Sequence, residues 1–211
     1  MLSLITKGTL ACVEILSVRH VLQRCLFHII AGSLPALALF LLPKLVVLIA
    51  LAVATIILLL FEMIRLRITS LNEWFYCFFA PLLRKEEKNK ITGSSYLLMG
   101  SLATVLVFPQ DIAALAILFA ALGDPVATLA GVWKGHTRLW GRSIEGNIAC
   151  FIACLCIGVL VAILIGEPSL VVAVSGAILA TVFQALPLKL NDNLVIPFLS
   201  AAGMMVVNIF V

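Results

Sequence analysis

The chain has 211 residues, 64% of them hydrophobic and 11% charged, with a mean hydropathy of +1.23 and a formal charge of +4. That balance cannot give a soluble domain a polar surface, so the composition is that of an integral membrane protein. Strands closed into a barrel would need alternating polar positions, which are absent, and only helices then satisfy the backbone inside lipid.

Residues 1–24 do not follow the pattern of a cleaved signal peptide. Glu14 interrupts the apolar stretch, and basic residues follow it as well as precede it. Lys7, Glu14, Ser17 and Arg24 fall roughly on one helical face, which predicts an interfacial amphipathic helix. Apolar runs near the ~20 residues that cross a bilayer then predict seven spans. They are Leu26–Leu42, Leu45–Phe61, Ser94–Phe108, Ile112–Trp133, Asn147–Ile165, Ser169–Leu186 and Leu194–Val211. The expectation is a single all-α transmembrane catalytic domain over 1–211, with cytosolic loops at 62–93 and 134–146.

Thirteen of the fourteen Lys and Arg residues fall in the N-terminal segment or in the connections 62–93, 134–146 and 187–193, leaving Lys44 on the other side. The positive-inside rule places those connections and the N-terminus in the cytosol, across the plasma membrane in a prokaryote. The charge thus reflects topology and an anionic ligand, and no nucleic acid is expected. The six cysteines lack a zinc spacing and read as reduced packing residues. In the connection from Asn72 to Lys90, Trp74, Phe75, Phe78 and Phe79 stand beside later charges, the composition of a segment lying among headgroups.

Asp124 is the acidic residue deep inside an apolar run, where a charge costs a few kcal/mol even on lenient insertion scales. Asp124-Pro125 suits an N-cap and first helical position, so a broken helix is expected there. Gly123, Ala127 and Gly131 make a small-residue face for a neighbouring helix, and such faces suit a homodimer as well. The loop that follows carries Lys134, Gly135, Arg138, Arg142, Ser143, Glu145 and Gly146. Cations interleaved with glycines suit phosphate oxygens, and Asp124 with Glu145 would hold Mg²⁺ beside them. The plainer reading is a positive-inside loop with Ser143 capping the next helix. No P-loop and no kinase glycine-rich loop occurs in the chain.

The run Gly123-Asp124-Pro125, Gly131, Gly135 and Arg142-Ser143-Ile144-Glu145-Gly146 resembles the signature of the CTP-dependent lipid kinases, which include dolichol kinase, phytol kinase and the CTP-using diacylglycerol kinase. Arg24-Cys25-Leu26-Phe27-His28 with Gly32, Glu62 with Arg65, the positions Arg84, Glu87, Thr92-Gly93 and Tyr96, and Asp192-Asn193-Leu194-Val195-Ile196-Pro197 are similar to further parts of that family, so the resemblance spans nearly the whole chain. Two positions depart from it: Arg142 stands where lysine is usual, trading a point cation for a planar fork, and Cys25 stands where a second basic residue is common.

The resemblance implies transfer of the γ-phosphoryl group of CTP to the hydroxyl of a lipid alcohol: an isoprenoid alcohol such as phytol, geranylgeraniol or dolichol, or diacylglycerol. It implies Asp124 and Glu145 as Mg²⁺ ligands, either one orienting or deprotonating the alcohol. Lys134, Arg138, Arg142 and Ser143 would hold phosphates, with Gly131, Gly135 and Gly146 permitting close approach and Asn191, Asp192 and Asn193 completing the site. Glu62 and Arg65 read equally as an ion pair at a helix end, and His28 as a hydrogen-bonded histidine of the first span. Two alternatives stand beside this: a cytidylyltransferase acting on phosphatidate or another lipid phosphate, and a small-ion transporter using Asp124.

Overall fold

The computed structural model describes residues 2–188 and 190–211, with side chains from Val18 onward. Among these residues it is all-α, with eight helices and one two-residue hairpin. The helices are α1 (Leu2–Leu41), α2 (Lys44–Arg67), α3 (Thr69–Phe79), α4 (Gly93–Val107), α5 (Gln110–Lys134), α6 (Ile144–Ile165), α7 (Leu170–Ala185) and α8 (Asp192–Asn208). A 3-10 turn at Lys85–Asn89 separates α3 from α4. The strands β1 (Arg138–Leu139) and β2 (Arg142–Ser143) lie between α5 and α6. Four helical stretches are long and apolar enough to cross a membrane, Val18–Leu41, Lys44–Arg67, Gln110–Lys134 and Ile144–Ile165, which makes this a multi-pass membrane protein. The remaining apolar helices, α4, α7 and α8, have 15, 16 and 17 residues. At 1.5 Å per residue they reach roughly 22–26 Å, short of a ~30 Å hydrocarbon core.

The interfacial helix expected over 1–24 falls mostly on residues whose side chains lie outside the described set. Its described end is helical without a break from Val18 into the first span.

The ends of the elements follow local chemistry. Ser143 and Ser169 cap α6 and α7 by accepting from Gly146 N and Val172 N, and Asn191 caps α8 by accepting from Asn193 N. Gly166, at φ 82°, closes α6 in the left-handed conformation that glycine adopts without strain.

α5 is the central post. Every residue from Ile112 to Ala121 is buried, and α1, α4, α6, α7 and α8 all pack on it. Its alanines leave room for close approach: a methyl group on Gly32 of α1 would lie 2.9 Å from the Ala121 side chain. On the α6 side a methyl on Gly123 would meet both Cys150 and Cys154 at 2.9 Å, so the predicted Gly123–Ala127–Gly131 face does receive a neighbouring helix. The predicted break at Asp124-Pro125 does not occur. α5 runs continuously through Pro125, because tertiary burial on several sides offsets the ~3 kcal/mol cost of an interior proline.

Successive apolar helices alternate in direction, so connections gather at two ends, while α4 and α8 pack side by side with their N-termini together. At one end, short turns meet: Lys44 N donates to Gln110 Oε1 at 3.1 Å, and Lys44 Nζ donates to the Phe108 carbonyl at 2.7 Å. The other end collects α3, the 3-10 turn, the hairpin and the α7–α8 connection. The outer faces of α1, α2 and α6 expose leucine and isoleucine, such as Leu34, Ile57 and Ile163.

Candidate functional site

Asp124 lies in the half of α5 nearest the loop-rich end and is half-buried. Its Oδ1 accepts a 2.9 Å hydrogen bond from Gln184 Nε2 of α7. Gln184 is 2% exposed, and its Oε1 has no hydrogen-bond partner among the described residues. On the α1 side, Cys25 Sγ donates to the Pro125 carbonyl at 3.8 Å and Gly32 packs on Ala121, which puts His28 at the level of Asp124. His28 Nε2 is likewise buried and unpartnered. Buried polar atoms are nearly always satisfied, so two orphans flanking one carboxylate mark a place where a polar ligand fits.

Two cavities meet this region. The first, about 210 Å³, lies above Gln184 between α5, α6 and the hairpin, with Thr128, Arg138, Arg142, Ser143 and Asn147 in its wall. The second, also about 210 Å³, lies on the His28 side with Arg24, Arg84, Asn191 and Asn193 at its polar end and Phe27, Leu58, Phe75 and Phe79 as apolar wall. Between the 3-10 turn and the start of α8 a wider polar cavity of about 440 Å³ carries Arg84, Lys90, Tyr96, Arg142 and Asp192. Glu86 and Glu87 line it too, and Arg142 lines both it and the first cavity, so the two share one arginine.

The hairpin explains how Arg142 is held. Trp140 (φ 53°) and Gly141 (φ 87°) form the two-residue turn with positive φ that joins tightly twisted strands, in register Leu139 opposite Arg142. Arg142 then meets Asp192 at 2.5 Å, tying the α5–α6 connection to the start of α8.

The predicted residues separate into three groups. Asp124, Arg138, Arg142, Ser143, Gly131 and Gly146 gather at the first cavity or its floor, while His28, Asn191 and Asn193 line the second. Lys134 stands exposed outside the first cavity's wall. The glycines serve the chain's own packing: a methyl on Gly131 would lie 2.8 Å from Ser143 Oγ, and on Gly135 2.4 Å from the Gly131 carbonyl. On Gly146 it would lie 2.6 Å from the Ala127 carbonyl. Asn193 also has a structural task, donating from Nδ2 to the Gly93 carbonyl at 2.9 Å.

Glu145 does not join Asp124. Its Oε1 accepts from His136 N and Thr137 N, both at 3.2 Å, beyond the C-terminus of α5. Asp124 lies ten residues before Lys134, the end of that helix, roughly 15 Å back at 1.5 Å per residue. Oxygen ligands sit about 2.1 Å from Mg²⁺, so this geometry gives the two carboxylates no shared ion. Among the described residues no group of three or more His, Cys, Asp or Glu side chains could hold a metal. Asp124 alone fits the single-carboxylate type of Mg²⁺ site, in which nucleotide phosphates supply most ligands, with Gln184 Oε1 beside it as a further hard oxygen.

Glu62 and Arg65 form a separate, fully buried pair. Arg65 meets Glu62 at 2.6 Å and also donates to Asn72 Oδ1 and to the carbonyls of Glu87 and Lys90. Glu62 Oε1 accepts from Thr92 N, Thr92 Oγ1 and Ser95 Oγ. Every charged atom is engaged with the chain itself, and the pair fastens the 84–92 connection to α2 and α4. Sequence reading missed Gln184, although a lone amide within the apolar run of α7 carried the same signal that singled out Asp124.

No family model matches the chain, and no solved structure matches it. Over 181 residues, 83% of this chain and 88% of the relative, it is 30% identical to the uncharacterized protein RP860 of Rickettsia prowazekii (strain Madrid E). The chain therefore belongs to the same family as that rickettsial protein.

Proposed function

We propose that this protein is a seven-span membrane kinase that transfers the γ-phosphoryl group of CTP to the hydroxyl of a lipid alcohol. The observation that carries the reading is the position of Asp124 between two unlike cavities. Through Gln184 it adjoins a cavity walled by Arg138 and Arg142, and across from it His28 opens on a cavity with an apolar wall. A phosphate donor suits the first and a lipid hydroxyl suits the second. CTP rather than another nucleotide rests on the resemblance of the Gly123–Gly146 region.

In this reading the loop-rich end faces the cytosol by the positive-inside rule. The short α4, α7 and α8 complete the crossing next to longer neighbours by drawing the bilayer in, which costs fractions of a kcal/mol per Å. Arg138 and Arg142 hold phosphate oxygens, Arg142 kept in place by Asp192. Asp124 is the residue that would hold Mg²⁺, which would supply charge neutralisation to the triphosphate. The acceptor oxygen forms a bond to the γ-phosphorus as the bond to the β,γ-bridging oxygen breaks. CDP leaves, and the hydroxyl proton passes to the Asp124 carboxylate oxygen that does not hold the metal. Such transfers need positioning more than covalent chemistry, and helices packed tightly on α5 provide it.

The test uses purified protein in detergent with Mg²⁺ and γ-labelled CTP, offered isoprenoid alcohols, diacylglycerol and phosphatidate. Label in a lipid monophosphate is the expected result. Label released as pyrophosphate with phosphatidate, or no turnover with any lipid, overturns the proposal.

A further inference from the structure

The cavity at His28 does not end there. On α1 its lining residues Arg24, Phe27 and His28 are followed at helical spacing by Ala31, Pro35 and Ala38, which line another cavity of about 290 Å³. On α2, Leu58 is followed in the same way by Ala54, Leu51 and Val47. The two cavities are successive stretches of one groove between α1 and α2. The second stretch is lined by alanine, leucine, valine and proline, with no charged or amide side chain. α1 packs chiefly on α5 and only lightly on α2, and this leaves the space open. From His28 to Leu42, the last α1-side residue lining it, the groove runs 14 residues, or roughly 21 Å. That exceeds the ~15 Å of hydrocarbon in one leaflet.

The head of the groove is built differently. Arg24 and Arg84 line it without an ion-pair partner among the described residues; the Glu87 carboxylate also lines it, its oxygens accepting from Arg84 N and Gly93 N, as does His28, whose Nε2 is buried and unpartnered. Phe75 and Phe79 of α3 close it at the bundle end. One polar head leading into one apolar groove matches a single chain carrying one polar group. Among the described residues the apolar lining leads from this head as one stretch, residues 31–42 on one side and 46–54 on the other, where a two-chain glycerolipid would need two.

We infer that this groove binds a single-chain lipid alcohol, its hydroxyl at His28 beside Asp124 and its chain between α1 and α2. The inference rests on the kinase reading for the meaning of the bound alcohol, but the binding itself is tested without turnover. Protein in nanodiscs of defined phospholipid is irradiated with a long-chain alcohol bearing a terminal diazirine, and adducts are mapped by mass spectrometry. Adducts fall between residues 31 and 54, unlabelled single-chain alcohol competes better than diacylglycerol, and Ala54→Phe lowers the yield about tenfold, the contact of roughly two methylenes. Val53→Phe, on the outer face of α2 and 51% exposed before substitution, leaves the yield unchanged. Adducts elsewhere in the wild type, or equal competition by diacylglycerol, overturn the inference, as does a yield indifferent to Ala54→Phe. Groove adducts in a protein that phosphorylates no alcohol uphold the binding site and remove the kinase.

Discussion

Replacing Gln184 with methionine separates the positioning of Asp124 from the stability of the fold. The native amide makes one bond to a carboxylate at 2.9 Å and leaves its own Oε1 buried without a partner. Losing a hydrogen bond to a charged group costs about 1.5–3 kcal/mol, while removing an unsatisfied buried oxygen returns about 1–3 kcal/mol. Methionine is close to glutamine in volume and flexible enough to fill the site, so packing adds little. The net change in stability is within about 1 kcal/mol, a shift of about 2–4 °C in Tm for a chain of this size. Turnover behaves otherwise. If the lost bond, about 2 kcal/mol, acts by holding Asp124 in its reactive position, kcat/KM falls roughly 30-fold. Thermal unfolding in detergent and γ-label transfer to the preferred alcohol measure the two effects on one preparation. A Tm loss beyond about 8 °C, with turnover per folded molecule unchanged, refutes the reasoning, because Gln184 would then serve the fold and not the carboxylate. Coupling is checked by the double variant with Asp124→Asn, in which the methionine should cost almost nothing further.

The two carboxylates that sequence reading paired should part in kinetics: Asp124→Asn lowers kcat by about a hundredfold or more, whereas Glu145→Gln chiefly loosens the hairpin, seen as faster amide exchange at His136 and Thr137. Gly146→Val, which forces atoms into space 2.6 Å from the Ala127 carbonyl and 2.7 Å from Ser143 Oγ, costs about 1–3 kcal/mol by overpacking, read as a lower Tm. Arg65→Met leaves Glu62 buried and unpaired and costs about 3–5 kcal/mol, read as loss of monodisperse protein on purification; the double variant Glu62→Gln with Arg65→Met recovers part of it.

Apolar run length carried most of the fold. Each of the seven predicted segments overlaps one observed apolar helix, and four of those helical stretches are long and apolar enough to cross a membrane, since burial in lipid leaves composition little freedom. What escaped was local. α3 begins at Thr69, with only Ile68 between it and the end of α2, because the aromatic cluster Trp74, Phe75, Phe78 and Phe79 orders a segment that composition marked only as interfacial. Asp124-Pro125 reads like a helix start whenever it is met alone, and only neighbours on several sides keep α5 whole. A glutamate two residues past an N-cap serine is equally a metal ligand and a first-turn acceptor; the tight Trp140-Gly141 turn decides, by bringing the N–H groups of 136 and 137 within reach. The pairing of Arg142 with Asp192 spans fifty residues and could not be seen without the fold.

Lys44, the one cation set apart from the rest, works as a fulcrum. It ties the α1–α2 turn to the α4–α5 turn through the Phe108 carbonyl and Gln110, whose amide in turn donates to the carbonyls of Leu39 and Leu42. A pair of rods clasped at one tip can part only by an angle, so any separation of α1 from α2 is smallest near Leu42 and widest near Arg24 and Leu58. A bilayer that squeezes or releases this pair therefore works with the greatest leverage at the end of the proposed site, and least where the rods are pinned.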